Sequence, residues 1–173
     1  MTGFFRFAVR TPVLIASLIG TLVLLLLVFP NLPVGGPTLD TQIRYDFAHA
    51  HALLEHYGEA GRRMYVRASL TLDTILPMFY ATCFSGLICR FSPLPGLRRC
   101  AYLPILTALF DLGENAQVMA MLIQYPDISE WQVQCASAFT QIKWLLAALS
   151  ILCAAVFVMS AAIVRIAARM HTI

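Results

Sequence analysis

Four stretches of this sequence are long enough and apolar enough to cross the hydrocarbon core of a lipid bilayer. A transmembrane helix needs about 20 predominantly apolar residues, and the stretches at about 11–29, 68–89, 101–124 and 135–164 meet that length. The first of them contains no charged residue. Because the bilayer core offers no water to unpaired backbone groups, each stretch is predicted to be helical.

The composition supports the same conclusion. Hydrophobic residues make up 60% of the 173 residues, charged residues make up 12%, and the mean hydropathy is +0.76. Soluble domains do not reach these values. The sequence therefore predicts an all-α fold, an integral membrane four-helix bundle. Residues 1–173 form its single transmembrane domain, with the first outer loop at 30–67.

The distribution of charge predicts the orientation in the membrane. One side of the predicted bundle has no Asp or Glu but has seven arginines: Arg6, Arg10, Arg90, Arg98, Arg99, Arg165 and Arg169. The positive-inside rule then places both termini in the cytoplasm, and we expect a bacterial inner membrane rather than an organelle membrane. Arg44, Arg62, Arg63 and Arg67 oppose the rule, but charges in a long loop count for less. The net charge of +3 lies along the membrane flanks, so no nucleic-acid partner is predicted.

The first outer loop contains apolar residues at helical spacing. They recur every three or four positions: Phe47, Ala50, Leu54, Tyr57, Gly61 and Met64. This pattern predicts one interfacial amphipathic helix, lying at the outer membrane surface or packed over the mouth of the bundle, and loosened near Gly58 and Gly61. After the third span, a capping box is predicted to start the last helix, formed either by Asp127 with Glu130 or by Ser129 with Gln132.

No cofactor and no metal site are predicted. Among His49, His51, Glu55 and His56, only His51 and Glu55 have the i, i+4 spacing of helical metal ligands, so these residues are interpreted as the polar face of the interfacial helix. The fourth histidine, His171, lies in the tail, and no histidine lies in a span, which excludes a bis-histidine haem. The five cysteines form no C-x-x-C pair.

The third predicted span carries polar residues in the middle of its apolar run. Thr107, Asp111, Glu114, Asn115 and Val118 share one helical face, because their spacing is i, i+4, i+7, i+8 and i+11. Charged groups at this depth in a bilayer are costly and usually have a partner or a function. This face is therefore predicted to point into the bundle.

The second and fourth predicted spans carry facing stripes. The second offers Ser69, Asp73, Pro77, Tyr80 and Phe84, and the fourth offers Thr140, Lys143, Ala147, Ser150 and Ala154. Glu114 lies 13 residues beyond Ala101, which places it about 20 Å into a core about 30 Å thick. Since Asp73 and Lys143 also belong to the outer half, we expect these two residues and Glu114 to meet in one pocket, with Asp111 about a turn deeper.

Each of these residues also has a structural interpretation. Lys143 is at a helix end beside Trp144, where lysines extend to the membrane surface. The alternative for Asp73 is an interfacial carboxylate, either paired with Arg67 or placed as a helix-start residue. Asp111 and Glu114 cannot both reach a surface, and their alternative role is a hydrogen-bonded knot that holds the helices together.

If the pocket has a chemical role, Asp111 and Glu114 are the candidate catalytic residues. Two carboxyls one helical turn apart in a low dielectric do not both ionise cheaply, so we expect them to share a proton, as in an acid/base pair or a proton relay. The candidate ligand-binding residues are Asp73, Tyr80, Asn115, Gln117 and Lys143. Whether the protein is an enzyme stays open.

The sequence resembles uncharacterised four-span membrane proteins of bacteria and some eukaryotes. The shared pattern is Leu39-Asp40-Thr41 with Arg44, then Gly58, Gly61-Arg62 and Tyr65, then Asp73, Pro77 and Tyr80, and finally Asp111 with Glu114-Asn115. No activity is established for such proteins. The resemblance therefore implies the four-span fold and marks residues without implying a function.

Three functions fit these expectations. The first is binding of an amphipathic lipid, isoprenoid or quinone in a carboxylate-rich pocket in the outer half of the bilayer. The alternative is an accessory or assembly subunit of a larger membrane complex or homo-oligomer, in which the polar residues serve as structural glue. A proton-coupled transporter is third, because four spans without an inverted repeat are few for alternating access.

Overall fold

The computed structural model describes residues 3–170, and these residues contain helices and no strand. His171 lies outside them. Two 3₁₀ segments, Leu39–Thr41 and Pro95–Tyr102, lie in the connections. The α-helices in chain order are α1 Gly3–Ala8, α2 Thr11–Val23, α3 Phe47–His56, α4 Gly58–Phe91, α5 Leu103–Gln124 and α6 Glu130–Met170.

Three helices are long and apolar enough to cross a membrane. They are α4, α6 and the helix that α2 forms with the π and 3₁₀ turns that follow it, Thr11–Asn31. The third predicted span is also helical, as α5, but it is not one of these three. The physical reason is the polar content of α5, because Asp111, Glu114, Asn115 and Gln117 interrupt its apolar sequence.

The predicted helix of the first outer loop is broken in two. The prediction of one helix through Met64 was wrong, because α3 ends at His56 and Met64 belongs to α4. The break falls at Gly58, as the sequence suggested, where φ is +60°, a left-handed conformation that glycine adopts at little cost. The second predicted span, 68–89, is therefore only part of α4, because this helix starts ten residues before position 68.

Side-chain caps mark the starts of two helices, an aspartate at α3 and a serine at α6. Asp46 Oδ1 accepts a hydrogen bond from the His49 backbone N–H at 2.8 Å, which caps α3. Ser129 Oγ accepts from the Gln132 backbone N–H at 3.2 Å, one half of a predicted capping box. The last helix thus begins just after Ser129 and extends beyond both ends of the predicted span 135–164.

Helix α5 packs against both α4 and α6. Helix α2 packs against α4. Residues 32–57, which include α3, fold over one end of α4, α5 and α6. We call this end the loop end. There Ala50 and Leu54 of α3 are fully buried against protein.

Two apolar clusters enclose a polar layer. The cluster at the loop end includes Leu39, Leu54, Tyr65 and Met121. The cluster at the opposite end includes Phe5, Ile88, Ala101, Ala154 and Phe157. Between them α5 presents a buried polar face, and this layer contains the candidate site.

Candidate functional site

A buried lysine joins two carboxyls in the polar layer. Lys143 Nζ of α6 lies 2.5 Å from Glu114 Oε2 and 3.4 Å from Asp111 Oδ1, both on α5. All three side chains are buried, and Glu114 is 0% exposed. The Lys143 ammonium therefore does not reach a surface beside Trp144, although it lies 5.5 Å from the centre of that ring.

Two hydroxyls complete this cluster. Thr140 Oγ1, one turn before Lys143 on α6, donates to Glu114 Oε1 at 2.5 Å. The Tyr80 hydroxyl of α4 donates to Asp111 Oδ2 at 2.9 Å. We call these five residues the Lys143 centre. Side chains from three helices thus meet there, as the facing stripes predict.

The two carboxyls meet through the lysine. Within residues 3–170, no hydrogen bond joins Asp111 directly to Glu114, and Lys143 lies against both. Glu114 Oε2 has Lys143 as its one polar neighbour in this part of the chain. The ammonium therefore links the two carboxyls, and proton sharing between them stays a prediction.

Asp73 lies beside the centre and is hydrogen-bonded to Asn115, the residue after Glu114 on α5. Asn115 Nδ2 donates to the backbone carbonyl of Asp73 at 3.0 Å, and Ser69 Oγ donates to Asp73 Oδ2 at 3.0 Å. The described residues show no ion pair between Asp73 and either Lys143 or Arg67. Asp73 is therefore buried next to the centre, without the expected contact to Lys143.

Gln117 is not brought into the centre. Its side chain is half-buried on α5, and it forms no hydrogen bond with the described residues. Position 117 is three residues after Glu114, which turns it toward the edge of the polar face. The structure therefore gives Gln117 no role beside the carboxyls.

The 3₁₀ turn Leu39–Thr41 lies over the centre at the loop end. The backbone carbonyl of Asp40 accepts a hydrogen bond from Lys143 Nζ at 3.2 Å. The Asp40 carboxylate accepts from the Tyr65 hydroxyl of α4 at 2.8 Å, and Leu39 is fully buried. The turn is thus fixed to α4 and α6 together, and it supplies the third acceptor of the ammonium.

Tyr45 connects the centre to a surface groove. Its hydroxyl lies 3.4 Å from Thr140 Oγ1, and its backbone N–H donates to Ser137 Oγ at 3.2 Å. Tyr45 also lines a groove of about 550 Å³ whose walls include Arg44, Glu130 and Gln141. Burial raises the pKa of the Tyr45 hydroxyl above its usual value, so this phenol stays protonated and available as a donor.

Asp40, Tyr45 and Tyr65 were not among the predicted site residues. Asp40 and Tyr65 belong to the pattern of the resemblance, which gave them no role. Nothing in the sequence marked Tyr45 as a site residue, since a single tyrosine in a loop is common. The Asp40 contact uses a backbone carbonyl, which any residue provides, so no residue type marks it.

No group of three or more His, Cys, Asp or Glu residues within positions 3–170 is placed to hold a metal ion. The histidine His51 packs between aromatic rings instead, 5.9 Å from Phe47 and 5.1 Å from Tyr125. No protein-family model, curated protein or solved structure matches this chain. The Lys143 centre is therefore interpreted from its own geometry.

Proposed function

We propose that this is a four-span membrane protein that binds the polar head of an amphipathic molecule, a lipid, isoprenoid or quinone, at the Lys143 centre. One observation carries the proposal: a single buried ammonium lies against two buried carboxyls. When both carboxyls are ionised, the negative charge exceeds the positive by one. A purely structural core gains little from such a group, since apolar side chains of similar volume stabilise as well or better.

Helix α5 is proposed as the fourth span. Its 22 residues extend about 33 Å at 1.5 Å per residue, which matches a core about 30 Å thick. Up to Ile123 its exposed large side chains, Leu106, Leu109 and Ile123, are apolar, and α5 packs against α4 and α6. The arginine distribution supports cytoplasmic termini, an outer position for the loop end, and a bacterial inner membrane.

The centre offers a head group both kinds of hydrogen bond. A ligand hydroxyl would donate to Asp111 or Glu114, and a ligand carbonyl would accept from Lys143 or Tyr80. Binding requires Lys143 to release one of its present acceptors. The contact easiest to release is with the Asp40 carbonyl, because it is neutral whereas the other two are carboxylates.

A second candidate function is that of an accessory or assembly subunit. It is supported by the hydrogen bonding within the centre, where Asp111, Thr140 and Tyr80 all have partners. In hydrocarbon such a network holds helices together without any ligand. In that case the large apolar side chains exposed on α2 and α6 would pack against other subunits rather than lipid.

Native mass spectrometry of the gently extracted protein distinguishes the two. The ligand proposal expects one more bound amphipathic molecule per chain in the wild type than in Glu114→Gln. Asp127→Asn, an exposed carboxyl change in the α5–α6 connection, is the matched control and should keep the molecule. A wild type without any such adduct, or an adduct unchanged in Glu114→Gln, contradicts ligand binding at the centre. A stoichiometric protein partner instead supports the subunit role.

A further inference from the structure

A second, separate feature lies on the surface at the loop end. Helix α4 and the end of α5 form a groove of about 510 Å³. One wall comes from α4 and the other from α5 and the residue after it, and the lining consists of Glu59, Arg62, Arg63, Val66, Arg67, Leu122, Ile123 and Tyr125. We call it the arginine groove. It contains three guanidinium groups and one carboxyl.

Two of its arginines are held in place by the protein. Arg62 Nη1 donates to the Leu54 carbonyl at 2.8 Å, and its guanidinium lies 4.4 Å from the centre of the Tyr125 ring. Arg63 pairs with Glu59, one turn earlier on α4. Arg67 is exposed, and the described residues include no acidic partner for it. The groove therefore keeps an excess of positive charge.

The groove lies where the charged first part of α4 ends and its apolar part begins. After Arg67, the one charged residue up to Cys89 is Asp73, which is buried inside the bundle. Ile123, on the facing wall, is 70% exposed and apolar. Since Arg63 and Arg67 are one helical turn apart, they share one face of α4 just before its apolar part begins.

We propose that the arginine groove binds the phosphate of an anionic phospholipid, with Arg63 and Arg67 on the phosphate and Ile123 against the first part of an acyl chain. Guanidinium groups form bidentate hydrogen bonds with phosphate oxygens, and the excess of positive charge favours a ligand with net negative charge. A zwitterionic lipid presents the same phosphate with a compensating ammonium. The groove therefore selects anionic over zwitterionic lipid, whether or not the Lys143 centre binds a ligand.

Thermal unfolding of the full chain in a neutral detergent tests this, with short-chain phosphatidylglycerol, short-chain phosphatidylcholine and glycerol phosphate as additives. We expect saturable stabilisation by phosphatidylglycerol, little by phosphatidylcholine, and at least a tenfold higher midpoint concentration in the double variant Arg63→Gln/Arg67→Gln. Arg44→Gln, an exposed arginine that lines the other groove, is the control and should behave as wild type.

Three results would overturn the proposal. Equal stabilisation by the two lipids would show that charge does not matter. An unchanged midpoint in the double variant would place the lipid elsewhere. Full stabilisation by glycerol phosphate would show that a free phosphate, rather than a lipid, is the occupant. Both substituted side chains are exposed, so the variants are expected to fold.

Discussion

The Lys143 ammonium and the Asp40 carbonyl are 3.2 Å apart, although 103 residues separate them in the chain. This contact ties the first long connection to the last helix directly over the two buried carboxyls. An ammonium has three N–H donors, and three oxygens lie near Lys143 Nζ: the hydrogen-bonded Asp40 carbonyl and the ion-paired carboxyls of Asp111 and Glu114. The loop is therefore attached directly to the charged group of the centre.

Removing the ammonium should destabilise the protein more than removing one carboxyl. Lys143→Met leaves Asp111 and Glu114 buried without a cation, and we expect a loss of about 3 to 5 kcal/mol in the free energy of unfolding. Thermal unfolding in detergent measures it. Adding Asp111→Asn and Glu114→Gln to Lys143→Met should recover part of the loss, because the uncompensated charge is then gone. A Lys143→Met protein as stable as wild type would show that the ion pairs contribute nothing.

Glu114→Gln separates a functional carboxyl from a structural one. The amide keeps the size of the side chain and can still bond to Thr140, while Lys143 keeps Asp111 as its counter-ion. We expect expression and melting temperature near wild type, but failure to complement whatever growth phenotype deletion of the gene causes. Glu114→Leu should fail in both respects. Full complementation by Glu114→Gln would contradict the acid/base and ligand roles and favour the structural one.

Loss of the Tyr65 hydroxyl should loosen the turn over the centre. Tyr65→Phe removes the hydrogen bond to the Asp40 carboxylate, and we expect a cost of about 1 kcal/mol and faster backbone hydrogen exchange across Leu39–Thr41. Hydrogen exchange read by mass spectrometry measures the effect. Tyr102→Phe, at a half-exposed ring away from the turn, is the control. Equal exchange in both variants would mean that Tyr65 does not hold the turn.

The loop end should not tolerate a larger residue at Gly61. A Cβ atom there would meet the backbone carbonyl of Val34, which cannot move away as a flexible side chain can. We expect Gly61→Ala to cost about 1 to 3 kcal/mol and to lower the melting temperature. Gly96→Ala, where nothing lies within 4 Å of the added atom, is the control. Similar melting temperatures for the two variants would contradict close packing of the loop on α4.

The proposed topology makes a prediction for chemical labelling. In a variant without the native cysteines, a cysteine at exposed Glu130 should react with a membrane-impermeant maleimide added from outside, and one at exposed Gly96 should react only after the membrane is opened. Cell fractionation with mass-tagged maleimide gives the readout. The reverse pattern would overturn the assignment of cytoplasmic termini.

The sequence was sufficient for the existence of the three packed helices α4, α5 and α6 and for part of the site, but not for the break between α3 and α4. Apolar length and helical spacing predict α4, α5 and α6, and the same spacing brings Tyr80 and Lys143 to the polar face of α5, because side-chain direction in a helix follows from position alone. It was insufficient where the contact is long-range or uses the backbone. Asp73 was expected to meet Lys143, but its side chain accepts from Ser69 on the same helix, and its backbone carbonyl accepts from Asn115.

Because the third acceptor of Lys143 is a main-chain atom, side-chain replacement cannot delete it. Substitution of Asp40 removes the partner of Tyr65 and leaves the carbonyl over the ammonium. An alanine scan would therefore measure, at position 40, only the loss of the hydrogen bond to Tyr65 of α4. It would not detect the hydrogen bond between the backbone carbonyl and Lys143. Shortening or lengthening the segment between Pro37 and Tyr45 by one residue shifts that carbonyl, and is the change to which the centre should be most sensitive.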